Sequence, residues 1–314
     1  MDSTRELVNK IEKLKKESNA VILVHNYQIN EVQEIADYLG DSLDLARKAA
    51  ELDHDVIVFC GVTFMGETAA ILSPSKTVLV PDINAGCPLA DMITPEKLMD
   101  IKLRKPGAAV VCYVNSSAEV KALSDICCTS ANAVDIVNSL EEHDVIFIPD
   151  RNLASYVARN TKKKIILYNG YCPTHHRVLL EDLIKVQKLY PGAKTLVHPE
   201  CPKEICDHAD FIGGTNDIIK YAKNSNDKKF IIGTECGILH RLKRENPDKE
   251  FYIASQDLIC PNMKLTNLEK IYWCLENKEP VIRVPEHISE RARLPIEKML
   301  AVSKNINQKS KSKS

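Results

Sequence analysis

A repeat of about 85 to 90 residues constrains this chain more than any other feature. Three apolar segments, Ala20–Tyr27 (AVILVHNY), Ala108–Asn115 (AAVVCYVN) and Lys194–Glu200 (KTLVHPE), read as strands that each end in a polar pair spaced i, i+2. The pairs are His25 with Tyr27, Tyr113 with Asn115, and His198 with Glu200. Turns at Pro106-Gly107 and Pro191-Gly192 precede the second and third strands. Seventeen positions beyond His25, Tyr113 and His198 stand Ser42, Ser130 and Thr215. Each opens a helical pattern, where a hydroxyl reads as an N-cap. About 60 positions beyond the same residues stand Cys87, Cys172 and Cys260, each followed by proline. Cys201-Pro202 carries that dipeptide out of register, so the dipeptide alone is not the signal.

Further strands follow at Val56–Cys60, Val145–Pro149 and Phe230–Gly233, then at Thr77–Pro81, Lys164–Tyr168 and Glu250–Ala254. Capping-box spacings start extra helices near Asn30 with Gln33 and near Ser116 with Glu119. The expected fold class is α/β: three similar β-α-β-α-β repeats with small parallel sheets, set with pseudo-threefold symmetry around a central active site. Their expected bounds are 1–105, 106–190 and 191–302, the last with C-terminal helices, and a Lys-rich polar tail at 303–314 reads as disordered.

Composition removes several alternatives. A net charge of −1 gives no basic field for nucleic acid. No apolar run approaches the roughly 20 residues of a membrane helix. The charged start, Met1–Lys16, lacks the apolar core of a signal peptide, so a cytoplasmic location is expected. There the 11 cysteines stay reduced rather than forming a disulfide framework. No G-x-G-x-x-G or P-loop run supports a nucleotide cofactor.

Ligands of parallel α/β sheets bind beyond the carboxyl ends of the strands, where the polar pairs and helix starts lie. Three repeats facing one another would gather three thiolates there, together with hydroxyls, histidines and a carboxylate. Such a centre suits a small substrate carrying several anionic groups. Three thiolates leave one metal position open, which fits a catalytic zinc or a cubane iron–sulfur cluster equally well. Taken singly, each cysteine reads as a buried apolar residue and each hydroxyl as a plain helix cap. Cys172 with His175 also has the spacing for a zinc-dependent hydrolase, and a non-catalytic repeat module is the third alternative.

The segments HNYQ at 25–28, GDSL at 40–43, FCGVTFMGETAAIL at 59–72, YVNSSAEVKA at 113–122, CCTSANA at 127–133, GYCPTHHR at 170–177, HPEC at 198–201 and CPNMKLTNLEKIYWCLE at 260–276 closely resemble the quinolinate synthase family. The resemblance runs from about residue 19 to about residue 302. It implies a condensing enzyme of NAD biosynthesis that joins iminoaspartate to dihydroxyacetone phosphate, giving quinolinate, phosphate and water. It implies one [4Fe–4S] cluster on Cys87, Cys172 and Cys260, whose open iron acts as a Lewis acid. It implies substrate contacts at His25, Ser42, Tyr113, Val114, Asn115, Ser130, His175, His198, Pro199, Glu200 and Thr215.

Within that scheme Glu200 and His198 are the candidates for proton transfer, and Tyr27 and Tyr113 for donation to a developing enolate. His176 reads as a surface residue, and the eight remaining cysteines as packing. An aspartate-oxidising enzyme is the implied supplier of iminoaspartate. Two departures stand out. Only Cys260 is present where some relatives carry a C-x-x-C-x-x-C run, and Gly213-Gly214 stands where Gly-Ser is expected, leaving Thr215 as the hydroxyl there.

Overall fold

The computed structural model describes the backbone of residues 2–311 and the side chains of residues 4–306. Two compact units divide the chain: residues 1–87 with 259–285, and residues 88–258 with 286–314. By packing, residues 259–285 leave the third repeat and join the first unit, taking Cys260 with them.

The first unit holds one parallel sheet of β1 (Ala20–His25), β2 (Tyr38–Gly40), β3 (Val56–Cys60) and β4 (Thr77–Leu79), in the order β2-β1-β3-β4. Strands β1 and β3 are buried throughout, as parallel strands covered on both faces must be. Helices Asp2–Glu17 and Leu268–Asn277 supply one cover: Ile11, Ile271 and Leu275 pack with Ile22, Val24 and Val58.

The second unit holds two more parallel sheets. One consists of β5 (Ala109–Tyr113), β6 (Ile126–Cys128), β7 (Asp144–Ile148) and β8 (Lys164–Leu167), ordered β6-β5-β7-β8. The other consists of β9 (Lys194–Val197), β10 (Phe211–Ile212), β11 (Lys229–Gly233) and β12 (Glu250–Ile253), ordered β10-β9-β11-β12. All three sheets share one strand order, so the three-repeat α/β architecture holds.

The expected β-α-β-α-β rhythm omits one strand per repeat. Strands β2, β6 and β10 are two or three residues long, too short to carry a period-two pattern. An aspartate fixes each of them. Asp37, Asp125 and Asp210 accept the backbone N–H of Ile22, Val110 and Thr195 at 2.8, 2.7 and 2.8 Å. Their own N–H groups return to the carbonyls of those same residues. A lysine performs a second repeated task. Lys163 reaches the carbonyls of Leu140 and Glu142, and Lys249 those of Ala222 and Ser225, in the last turn of the preceding helices or just beyond them. Lys76 does the same for Ala49 and Leu52. A cation there satisfies orphan carbonyls and complements the helix dipole.

Asp125→Ala should therefore lower stability by about 1 kcal/mol, since a part-exposed carboxylate–amide bond is lost. The check is the urea midpoint, and an unchanged midpoint would refute the assigned role.

Several expected helix starts shift. Ile29 precedes helix Asn30–Glu34, and Ser117, not Ser116, caps helix Ala118–Lys121. Gln33 donates instead to the carbonyls of Asn26 and Gln28 at 3.1 and 2.8 Å. None of the three repeat hydroxyls is an N-cap. Asp41 caps helix Ser42–Glu51, Asn132 precedes helix Ala133–Ser139, and Gly214 precedes helix Thr215–Asn224. Asp41 wins over Ser42 because its carboxylate accepts both Leu43 and Asp44 N–H, at 3.0 Å each.

The expected disordered tail does not begin at Ser303. Helix Glu286–Lys311 carries that residue buried against the second sheet's edge, where Asn132 donates to its hydroxyl at 2.8 Å. The end of that tail, 312–314, lies outside the described residues. Among the described residues no helix is long and apolar enough to cross a membrane.

Candidate active site and metal centre

One backbone anchor recurs in all three repeats. The N–H groups of Thr63, Arg151 and Cys236, just past β3, β7 and β11, donate to the carbonyls of Ala85, Gly170 and Leu258, each at 2.8 Å. Those carbonyls lie two residues before Cys87, Cys172 and Cys260. Each cysteine loop is thus pinned to the carboxyl end of its sheet by the same bond. The three cysteines are half-buried, whereas seven of the other eight are buried. The exception is Cys236, which is half-buried because it occupies the anchor position itself.

In the first unit His25 closes β1 and is buried; its Nδ1 accepts the N–H of Tyr27 at 3.2 Å. The Tyr27 ring meets it edge-on, with centroids 4.6 Å apart. Ser42 starts its helix beside the Asp41 cap. Cys260 precedes the short turn Pro261–Lys264. From this turn Asn262 donates to the carbonyl of Gly86 at 2.7 Å, and Lys264 donates to the carbonyl of Tyr27. The Cys260 turn is thereby tied to the residue before Cys87 and to the His25–Tyr27 segment.

The second unit gathers the other expected residues around Glu200. His198, Pro199 and Glu200 follow β9 and are buried. Glu200 Oε2 lies 2.7 Å from His175 Nδ1 and 3.3 Å from His198 Nδ1. The two imidazoles stack at 4.5 Å. His175 Nδ1 also lies 3.3 Å from Cys172 Sγ, and its Nε2 lies 2.9 Å from Thr234 Oγ1. His198 Nε2 reaches Ser130 Oγ at 3.1 Å. Tyr113 and Val114 are buried at the end of β5, and Asn115 beside them keeps its buried Oδ1 without a hydrogen-bond partner. Thr215 is buried at its helix start. A side chain at Gly214 would press on Ser130 Oγ and Ala131, at 3.1 and 3.2 Å from its Cβ, so glycine suits this position.

The backbone fixes one tautomer. Glu200 N–H donates to His198 Nδ1 at 3.3 Å, so Nδ1 is an acceptor and the proton sits on Nε2. The contact between His198 Nδ1 and Glu200 Oε2 is therefore proximity, and the shared proton of Glu200 lies toward His175. His25 repeats this arrangement through Tyr27 N–H.

Asp150 and Thr234 carry no signal in the repeat, yet both shape the site. Asp150 is fully buried; one oxygen accepts Leu153 N–H at 2.8 Å and the other Cys172 N–H at 2.9 Å. Burial, then the charge of Glu200, pushes the Asp150 carboxyl well above its ordinary value. Burial also acts to raise Glu200, but His175, then the Tyr113 hydroxyl, outweigh it and hold Glu200 below its ordinary value. Burial thus works against charge on Asp150, whereas His175 favours charge on Glu200, whose Oε1 is buried without a hydrogen-bond partner.

His176 is not a surface residue. It is half-buried, 2.8 Å from an Arg151 nitrogen and 3.1 Å from Asn152 Nδ2. Burial, then Arg151, lowers its pKa. Asn152 also donates to the Glu200 carbonyl at 2.9 Å, which joins the post-β7 corner to the Glu200 segment.

The family described as Quinolinate synthetase A protein (NadA) matches residues 9–301. A quinolinate synthase of Methanosarcina barkeri is 54% identical over 297 residues, covering 95% of this chain and 98% of that one. One from Dehalococcoides mccartyi is 54% identical over 95% of this chain and 99% of its own length. One from Clostridium kluyveri is 54% identical over 94% and 98%. Matches of this extent leave no part of the three-repeat architecture unaccounted for, and the chain belongs to the quinolinate synthetase A family of enzymes.

Proposed function

We propose that this chain is an iron–sulfur quinolinate synthase, condensing iminoaspartate with dihydroxyacetone phosphate to give quinolinate, phosphate and water for NAD biosynthesis. The match to quinolinate synthases along nearly the whole chain carries this reading. In it, Cys87, Cys172 and Cys260 hold one [4Fe–4S] cluster. Their shared anchor, their partial exposure and the orphaned Glu200 Oε1 fit that assignment. When bound, a cluster with three cysteine ligands supplies one iron that acts as a Lewis acid toward substrate oxygen.

The protein groups supply orientation and proton movement. Nε2–H of His25 and of His198 donate to carboxylate or carbonyl oxygens of the substrates. Glu200, ionised at neutral pH, accepts the proton from the carbon beside the imine, and His175 stabilises it before and after. Tyr27 and Tyr113 donate to the oxygen of the developing enolate. The helix starts at Ser42 and Thr215, with Ser130 and Asn115, bind phosphate and carboxylate through hydroxyl, amide and backbone N–H groups. Holding two small reactants in register removes much of the entropic barrier. An aspartate-oxidising enzyme supplies iminoaspartate, and eleven free cysteines accord with a cytoplasmic location.

Protein purified without oxygen is expected to be brown, to contain about four irons per chain and to form quinolinate from the two substrates. Colourless protein that forms quinolinate with stoichiometric zinc would overturn the cluster assignment. Protein with four irons and no quinolinate would overturn the reaction.

A further inference from the structure

We infer that the chain without its cluster captures one divalent ion of the zinc class at Cys172, His175 and Glu200. Each of these residues brings one donor atom to a group lying within 4.8 Å of one another. The set is mixed, with one sulfur, one nitrogen and one oxygen, and that mixture suits a borderline-soft ion that accepts all three. Tetrahedral zinc spaces such donors by roughly 3.3 to 3.6 Å. Sγ and Nδ1 are already 3.3 Å apart, Nδ1 and Oε2 are 2.7 Å apart, and all three donors lie within 4.8 Å of one another, so an ion draws in a group already gathered.

Three further observations mark the group as built. His175 Nε2 meets Thr234 Oγ1 at 2.9 Å, an outer partner that fixes the ring and accepts from Nε2 when an ion takes the place of the proton on Nδ1. Glu200 is 3% exposed, and a buried carboxylate is stabilised by a neighbouring cation. Asp150 holds the Cys172 backbone at 2.9 Å, which places the thiolate in advance. Binding displaces the Cys172 thiol proton to solvent, while the His175 proton moves from Nδ1, where it faces Glu200, to Nε2, where Thr234 Oγ1 accepts it. Because Cys172 is half-exposed, the ion has an entry path, and water takes its fourth position.

One consequence follows for loading. Cys172 serves both the ion and the cluster, so an ion-loaded chain does not accept a cluster until the ion leaves. This exclusion rests on the cluster reading above, whereas the ion capture does not.

The test uses full-length chain stripped of metal without oxygen, with zinc binding followed by equilibrium dialysis and cobalt(II) as the optical probe. One zinc per chain is expected. Cys172→Ser and His175→Ala should each weaken binding by about 100-fold or more, and Thr234→Val by about tenfold. Cys87→Ser and Cys260→Ser should leave it within about twofold. The cobalt spectrum of the unaltered chain should carry the charge-transfer intensity of a single thiolate, a reading that needs no variant to fold. Three-thiolate intensity, loss of binding in Cys87→Ser or Cys260→Ser, or unchanged binding in folded His175→Ala would each overturn the assignment. Iron content and quinolinate formation by cluster-loaded protein test the other reading separately.

Discussion

Glu200→Gln should lower kcat by about 10²–10⁴-fold while KM changes far less, the scale of a lost general base. The substitution is nearly isosteric. The glutamine carbonyl still accepts from His175 Nδ1, which now lies 2.7 Å from Oε2, and the backbone N–H of residue 200 still fixes the His198 tautomer. What disappears is a carboxylate that His175 and the Tyr113 hydroxyl keep ionised against the cost of burial. Glu200 is 3% exposed, so bulk water cannot replace the lost base. Steady-state quinolinate formation by cluster-loaded protein, normalised to iron content, is the measurement. Activity within threefold of the unaltered enzyme would remove Glu200 from the proton path. A matched fall in iron content would instead assign it to holding the metal centre.

The residues that repeat are the ones the sequence reveals, because repetition converts a weak local signal into a register. His25, Tyr113 and His198 fall at equivalent strand ends, and Cys87, Cys172 and Cys260 at equivalent anchored loops. The aspartates Asp37, Asp125 and Asp210 obey the same spacing but are masked in sequence, since a surface aspartate has many ordinary reasons to be present. Edge strands of two or three residues escape for a different reason: they hold their place through those aspartates rather than through apolar alternation. Helix starts misassign by one or two residues because capping competes locally. Asp41 outbids Ser42, and a serine or threonine one position inside the helix looks the same in sequence as one at the cap. Asp150 and Thr234 are invisible for a further reason. Gly61 and Pro149 stand where Thr234 stands, and the position of Asp150 is held by Val62 and Glu235 in the other repeats, so a carboxylate recurs there in only two of three and sets no register.

Asp150 accepts the backbone N–H of its own cysteine, Cys172, while Glu235 accepts that of Gly237, and the hold on Cys172 makes Asp150 the second large prediction. Asp150→Ala should cost about 2–4 kcal/mol, because the buried N–H of Leu153 and the half-buried N–H of Cys172 lose their acceptor together. Leu153 belongs to the first turn of helix Arg151–Arg159, so one lost bond frays a helix start. The other releases the backbone of Cys172, leaving its loop held by the Arg151–Gly170 anchor. Asp150→Asn keeps one acceptor oxygen and turns an N–H₂ toward the other donor, so it should lose roughly half as much. The urea midpoint measures the stability term, and Cys172 alkylation in metal-free protein measures the loop. Losing the Cys172 bond by itself, about 1.4 kcal/mol, should speed that alkylation about tenfold, with Cys87 and Cys260 as unchanged internal references. A midpoint shift below about 0.5 kcal/mol would mean that water or a neighbouring group replaces the carboxylate. Equal acceleration at all three cysteines would mean that the fold loosens as a whole, and Asp150 would then be a structural residue with no special hold on Cys172.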